Sequence, residues 1–223
     1  MFPKTPKTPI KNDKVIIDTR TVGPFAANSY LIACADTKEG ALIDACDNFP
    51  ALKEMIEAHG ITLKYLLQTH AHLDHVAALK EMKEWSDAPI LLHPAEKELY
   101  DNIPMQCRLF GLPPFPSPPA PDQWIQGGEE LKLGNLTIHY IDTPGHSPGS
   151  ITFQVKADKE YLFAGDTLFE GSIGRTDLPG GSYGVLMNSL QILLQSPDDT
   201  VVLSGHGGLT TIGKERKTNP FLS

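Results

Sequence analysis

Residues 69–75 read THAHLDH and place three histidines and an aspartate between positions 70 and 75, in a chain of 223 residues that holds eight histidines in all. Imidazole nitrogens and carboxylate oxygens are donors that zinc and related divalent ions take, in sets of about four. The apolar run just before, LKYLLQ at 63–68, reads as a strand. On extended backbone His70 and His72 point the same way, while Asp74 and His75 fall at the start of a following helix and can face a second point nearby. Three further clusters follow strand-like runs: TPGHS (143–147), AGDT (164–167) and SGHG (204–207). They complete two donor sets, His70, His72 and His146 on one side and Asp74, His75 and His206 on the other, with Asp166 as a carboxylate able to bridge. That is the inventory of a binuclear centre, in which two ions about 3.5–4 Å apart hold a bridging hydroxide as nucleophile and polarise a substrate carbonyl. Zinc is the expected metal, with iron and manganese as alternatives, and Asp74 and Asp166 are the expected catalytic carboxylates. Glycines 145, 165, 205 and 207 let the backbone turn beside the donors. His59, His93 and His139 lie outside the pattern and are expected to be packing or surface residues.

Donors spread over so much chain need a framework of short, alternating elements to bring them together. From Lys14 to Asp44 the runs VIIDTRTVG, NSYLIACA and EGALIDAC predict consecutive strands. Asn48 is placed to cap a helix over 49–59, ended by Gly60. A second helix is expected over 74–85, a strand over 89–93 and a short helix from Pro94 to Tyr100. The stretch 111–122, GLPPFPSPPAPD, has six prolines in twelve residues and no amphipathic period, so it reads as a surface loop, with 107–122 as its full extent. Strands resume with LKLGNLTIHYID, SITFQVK and YLFAGD, then a helix over 183–195 behind Ser182, then TVVLSGH. Each half thus runs strands, helix, strand, helix. That order predicts one α/β domain over 1–223, with two sheets packed face to face and helices outside, behind a flexible lead-in at 1–13.

Composition narrows the function. A net charge of −8 and a pI near 5.4 disfavour a phosphate-backbone partner, which needs clustered Lys and Arg, so nucleic acid is not the expected substrate. No apolar run approaches the ~20 residues of a membrane span, and the lysine-bearing N-terminal residues carry no apolar stretch behind them, so the cytoplasm is the expected location. Cys34, Cys46 and Cys107 are odd in number and sit in apolar surroundings, as reduced structural thiols do.

His70-x-His72-x-Asp74-His75, followed by His146, Asp166 and His206, resembles the signature of the metallo-β-lactamase superfamily. Within it, TPGHSPGS, FAGDTLFEGSIGRTDLPGGS and TTIGKERKTNPFL look like the single-domain branch similar to glyoxalase II, the hydroxyacylglutathione hydrolases, over about residues 15–222. The resemblance implies a four-layer αββα sandwich with the metals at one edge between the sheets, and Asp44, ending ALID, lying behind the ligands, where it could orient a histidine or equally cap a turn. It implies S-2-hydroxyacylglutathione, S-D-lactoylglutathione above all, cleaved to glutathione and a 2-hydroxy acid. The chemistry agrees: a thiol with a pKa of about 8.5 leaves as thiolate, whereas an amide nitrogen must be protonated as its bond breaks, so thioesters suit the donor set best and lactones or other activated esters next. Two-domain glyoxalase II enzymes hold glutathione with basic residues of a helical C-terminal domain, whereas this sequence runs only to Ser223 beyond His206, so its thiol-side pocket is expected to differ. Arg175, in GRTD, and Tyr30, Lys214 and Arg216 are the substrate-binding candidates, with Arg175 equally able to pair with Asp177.

Two other readings share these residues. Persulfide dioxygenases resemble this sequence at GRTD and bind one iron through two histidines and a carboxylate, here His70, His146 and Asp166, the facial triad of non-haem iron oxygenases. A non-catalytic metal-binding scaffold, a homo-oligomer built through the proline-rich loop, is the third. β-Lactam hydrolysis is not expected, because the same spacing serves thioesterases and no secretion signal is read.

Overall fold

The structure, a computed structural model, describes residues 9–222. The β-branched and aromatic runs pair in the order in which they occur. β1 (Ile10–Lys11), β2 (Val15–Val22), β3 (Ala27–Cys34) and β4 (Glu39–Ile43) form an antiparallel ladder, with Val15 opposite Cys34 and Val22 opposite Ala27. The lead-in expected at 1–13 falls mostly outside the described residues, and within them Ile10 already pairs with Ile17. After α1 (Phe49–Ala58) the strands turn parallel: β5 (Thr62–Leu67) joins β4, and β6 (Ile90–Leu92) joins β5. Between them lie α2 (Leu73–Val76) and α3 (Leu79–Ser86). A 3₁₀ turn (Pro94–Glu96), α4 (Lys97–Asp101) and α5 (Ile103–Leu109) lead to the proline-rich segment, and β7 (Gln123–Trp124) closes the seven-stranded sheet.

The second sheet has six strands. β8 (Glu130–Leu133), β9 (Leu136–Asp142), β10 (Ile151–Lys156) and β11 (Glu160–Gly165) are antiparallel neighbours. β12 (Leu168–Phe169) and β13 (Ser172–Ile173) make a separate hairpin before α6 (Tyr183–Leu193). β14 (Val201–Ser204) returns parallel to β11, and β15 (Leu209–Thr211) pairs with β14 ahead of α7 (Ile212–Thr218).

The burial pattern sets the layers. β3 is buried at every position, so both its faces are covered. Tyr30 and Ile32 meet Tyr140, Phe153 and Phe163 of the other sheet, whereas Leu31 and Leu42 pack outward on Leu52, Met55 and Ile56 of α1. On the far side Leu162 and Val202 pack on Leu186, Leu190 and Leu193 of α6. Each such side chain taken from water stabilises by roughly 1.5–3 kcal/mol. Two mixed sheets face one another with helices outside, the αββα order expected. No helix of the described residues is long and apolar enough to cross a membrane.

Two local expectations are corrected. The helix expected over 74–85 is broken into α2 and α3, because the N–H groups of Ala77 and Ala78 bond Cys46 O (3.1 Å) and Ala45 O (3.0 Å) instead of carbonyls one turn back. Asn48 and Ser182 precede α1 and α6 but cap neither with the side chain. Asn48 adopts a left-handed backbone (φ 54), and its carbonyl, like that of Ser182, receives the first helical N–H.

Candidate metal centre

Every expected donor leaves the framework at the same edge. β5 ends at Leu67 and hands on to 70–75; the β9–β10 loop carries His146; Asp166 follows β11; His206 follows β14. The first donors come from one sheet and the last three from the other, so the cluster sits at the seam between the sheets.

The non-donor nitrogens are fixed first. Asp44, itself in a left-handed conformation (φ 58) and buried, accepts from Thr69 N–H and Thr69 Oγ1–H, both at 2.7 Å, and from His75 Nδ1–H at 2.9 Å. With its hydroxyl hydrogen committed to Asp44, Thr69 Oγ1 accepts from His70 Nδ1–H at 3.0 Å. His146 Nδ1–H donates to Arg175 O (2.9 Å) and His206 Nδ1–H to Phe25 O (3.1 Å). Carbonyls and carboxylates only accept, so these contacts place the proton on Nδ1 and leave Nε2 as a lone-pair donor, the arrangement that orients metal-binding histidines. His72 is turned the other way, its Nδ1 lying 2.8 Å from His146 Nε2.

The donor atoms of His70, His72 and His146 lie within 4.8 Å of one another, and so do those of Asp74, His75 and His206. Asp166 stands between the groups: Oδ1 is 3.4 Å from His75 Nε2, and Oδ2 is 3.6 Å from His146 Nε2 and 3.5 Å from His206 Nε2. Among the described residues, His70 Nε2, His75 Nε2 and Asp166 Oδ1 are buried without a hydrogen-bond partner. His72 Nε2 and Gln68 Oε1 are orphaned as well. Buried polar atoms are as a rule satisfied, and cations at the cluster would satisfy the first three. The His/Asp cluster fits a dinuclear metal site.

The electrostatics agree. Burial holds the His70 ring well below the usual imidazole range, with His75, His72 and His146 adding to it, and pushes His72 down to about 3 together with His146. These rings stay neutral, as ligands must. Burial opposes ionisation of Asp166, but His75, His146 and His206 outweigh it and keep this carboxylate well below its ordinary range. Burial likewise opposes a proton on His75 and His206; Asp166, Asp74 and Asp44 reverse that for His75, and Asp74 and Asp166 for His206. The carboxylates therefore create a field that attracts positive charge, which a divalent ion satisfies as a proton does.

A cleft of about 340 Å³ opens over the cluster, walled by Phe25, Leu73, Phe110, Phe169, Ile173 and Leu178, with Arg175 in its lining. Arg175 makes a bidentate pair with Asp177, both bonds at 2.7 Å. The other substrate-binding candidates do not line the cleft. Tyr30 is 2 % exposed, and its hydroxyl donates to Ser204 O at 2.7 Å, tying down the loop that carries His206. Asn28 assists, bonding Ser204 O at 2.9 Å and Gly207 O at 3.2 Å. Lys214 pairs with Glu170 (2.6 Å), and Arg216 with Asp198 and the carbonyls after α6. His59 bonds Asp18, His139 lies beside Glu130 and His93 accepts from Ala95 N–H, so all three stay apart from the cluster. Sequence reasoning missed Thr69 and the aromatic walls; a threonine inside a histidine run was the available signal for the former.

Residues 22–206 match the family profile described as Metallo-beta-lactamase superfamily. The chain is 40 % identical over 210 residues to a Haemophilus influenzae protein named hydroxyacylglutathione hydrolase GloC, covering 93 % of this chain and 98 % of that one. Among solved structures it resembles BLEG-1 B3 metallo-beta-lactamase (TM-score 0.85, 34 % identity, 93 % and 99 % covered). It also resembles TTHA1623 in a di-iron-bound form (TM-score 0.81, 38 % identity, 92 % and 99 % covered).

Proposed function

This chain belongs to the metallo-beta-lactamase superfamily, and from that premise we propose that it is a cytoplasmic metal-dependent hydrolase of thioesters, with S-2-hydroxyacylglutathione, and S-D-lactoylglutathione in particular, as substrate. The observation that carries the reading is the position of Asp166, one carboxylate within 3.6 Å of imidazoles from both donor groups. The name of the Haemophilus relative supports the glutathione part. His70, His72 and His146 would hold one ion, Asp74, His75 and His206 the other, and Asp166 both. Zinc is the metal favoured by a nitrogen-rich donor set; a similar chain is known in a di-iron form.

Two divalent ions bound there would supply Lewis acidity and bring the pKa of water near neutrality. The chain's own residues do the rest. Asp44, Thr69 and the carbonyls of Arg175 and Phe25 hold four imidazoles by their Nδ1–H groups. Phe25, Phe110 and Phe169 exclude bulk water from the scissile bond. Arg175 receives a substrate carboxylate by exchanging it for Asp177. No thiol nucleophile is needed, and Cys34, Cys46 and Cys107 are free and buried.

The test is a side-by-side assay of zinc-loaded and iron-loaded protein. Thiol release from S-D-lactoylglutathione is expected, abolished in Asp166→Ala. Oxygen uptake on glutathione persulfide by the iron form, without thiol release by either, would instead assign the mono-iron dioxygenase chemistry of His70, His146 and Asp166. An Asp166→Ala chain that keeps full cellular function would point to the scaffold role.

A further inference from the structure

Glu96 ends the 3₁₀ turn after β6, is 0 % exposed, and belongs to neither donor group. Its carboxylate receives three donors from two distant loops. Oε2 accepts from Ala71 N–H at 2.7 Å. Oε1 accepts from Ser147 Oγ–H and from Gly149 N–H, each at 2.7 Å. Ala71 is the residue between His70 and His72, and Ser147 follows His146 directly. Among the described residues no Lys, Arg or His forms an ion pair with Glu96. A carboxylate buried without a counter-charge is costly unless its oxygens are satisfied by hydrogen bonds.

The grip has a second side. Gln106, on α5, donates from Nε2 to Ala71 O at 2.9 Å and accepts Leu73 N–H on Oε1 at 3.0 Å. The peptide carrying His72 is thus held at Ala71 N, Ala71 O and Leu73 N by two side chains. The β9–β10 loop presses close enough to Glu96 that a Cβ on Gly149 would stand 3.1 Å from Glu96 Cγ. His72 Nδ1 and His146 Nε2, brought to 2.8 Å of one another, lie on the two loops that Glu96 joins.

We infer that Glu96, braced by Gln106, is a positioning residue: by binding the loop of His70 and His72 to the loop of His146 it sets the spacing of the three imidazoles and so the retention of the ion they hold. All three of its hydrogen bonds go to the loops themselves, so it acts through them and not as a ligand. The inference rests on the metal-binding reading above.

The experiment compares wild type with Glu96→Gln, Glu96→Ala and Val155→Ala, the last a control in the core between the sheets, at the end of β10 away from the β9–β10 loop. Each protein is loaded with zinc, its metal content is measured, and release to a chromogenic chelator is timed; the metal-free melting temperature is recorded alongside. Loss of an orienting partner behind metal ligands weakens binding by about 10–100-fold. Release of one zinc per chain is expected to quicken by that factor in Glu96→Ala, less in Glu96→Gln, and not in Val155→Ala even where its melting temperature falls as far. Should Glu96→Ala not fold, Glu96→Gln carries the comparison. Release at the wild-type rate in the Glu96 variants, or equal quickening in Val155→Ala, overturns the inference. A wild type that takes up no zinc would overturn the metal-binding reading itself.

Discussion

Gly205 stands where a side chain has no room. A Cβ there would strike Asp166 Oδ1 and lie 2.8 Å from His75 Cε1, whereas Gly165 and Gly207 have left-handed backbones, φ 47 and φ 73. The turn chemistry expected of this glycine set therefore applies to some members, while at 205 the constraint is volume. Gly205→Ala should displace Asp166 at a cost of roughly 1–3 kcal/mol, lowering kcat/KM about 5- to 150-fold with a smaller share of bound metal; unaltered metal content and kcat/KM would show that the space exists. Residue types were legible where chemistry dictates them, since few other roles explain His70, His72, Asp74 and His75 in one short run. Asp44 and Glu96 were harder. Their partners lie 25 to 53 positions away in sequence, so no local period marks them. The cations expected to bind substrate, Lys214 and Arg216, meet acidic partners, Glu170 and Asp198, that only the fold brings near.

Among the elements, strands were legible from their β-branched and aromatic runs, and helix ends were not. The break between α2 and α3 arises because carbonyls of Ala45 and Cys46, beyond β4, compete for the N–H groups of Ala77 and Ala78, a contest invisible to a 3.6-residue period. The proline-rich stretch keeps no regular structure from 112 to 121, but its expected start at 107 is still helical, since α5 runs to Leu109. At the end of α5, Phe110 meets Phe25 of the β2–β3 turn edge to face, ring centroids 5.6 Å apart. The two form part of the cleft wall. An aromatic pair contributes about 0.5–1.5 kcal/mol, so Phe110→Ala should raise KM for a thioester about 2- to 12-fold and leave kcat nearly intact; a loss confined to kcat would mean that the pair orders the donors instead.

For the whole molecule, the donors divide between the sheets, with 70–75 following the first and 146, 166 and 206 the second. An ion held between them ties the two halves of the sandwich together. Ligands that bind only the folded state stabilise it by about 4 kcal/mol at a thousandfold excess over Kd, which for a chain of this size is roughly 10 °C in melting temperature. Stripping the metal with a chelator should lower the melting temperature by that order and zinc should restore it; an unchanged transition in calorimetry would show that the seam holds without the ion. The αββα layering was legible from the order of runs because each half repeats it. How the halves meet was not, because the tie between Asn28 and the loop at 204–207 spans 176 and 179 positions. That tie also sets a timetable for biosynthesis. While the chain is emerging from the ribosome, His70, His72, Asp74 and His75 are already made, yet their counterparts at 146, 166 and 206 are still to be translated, and the loop of His206 lodges against β3, a strand made before any of the donors. Maturation of the centre therefore waits for the loop of His206 to be made, and the early histidines stay uncommitted while everything between is translated.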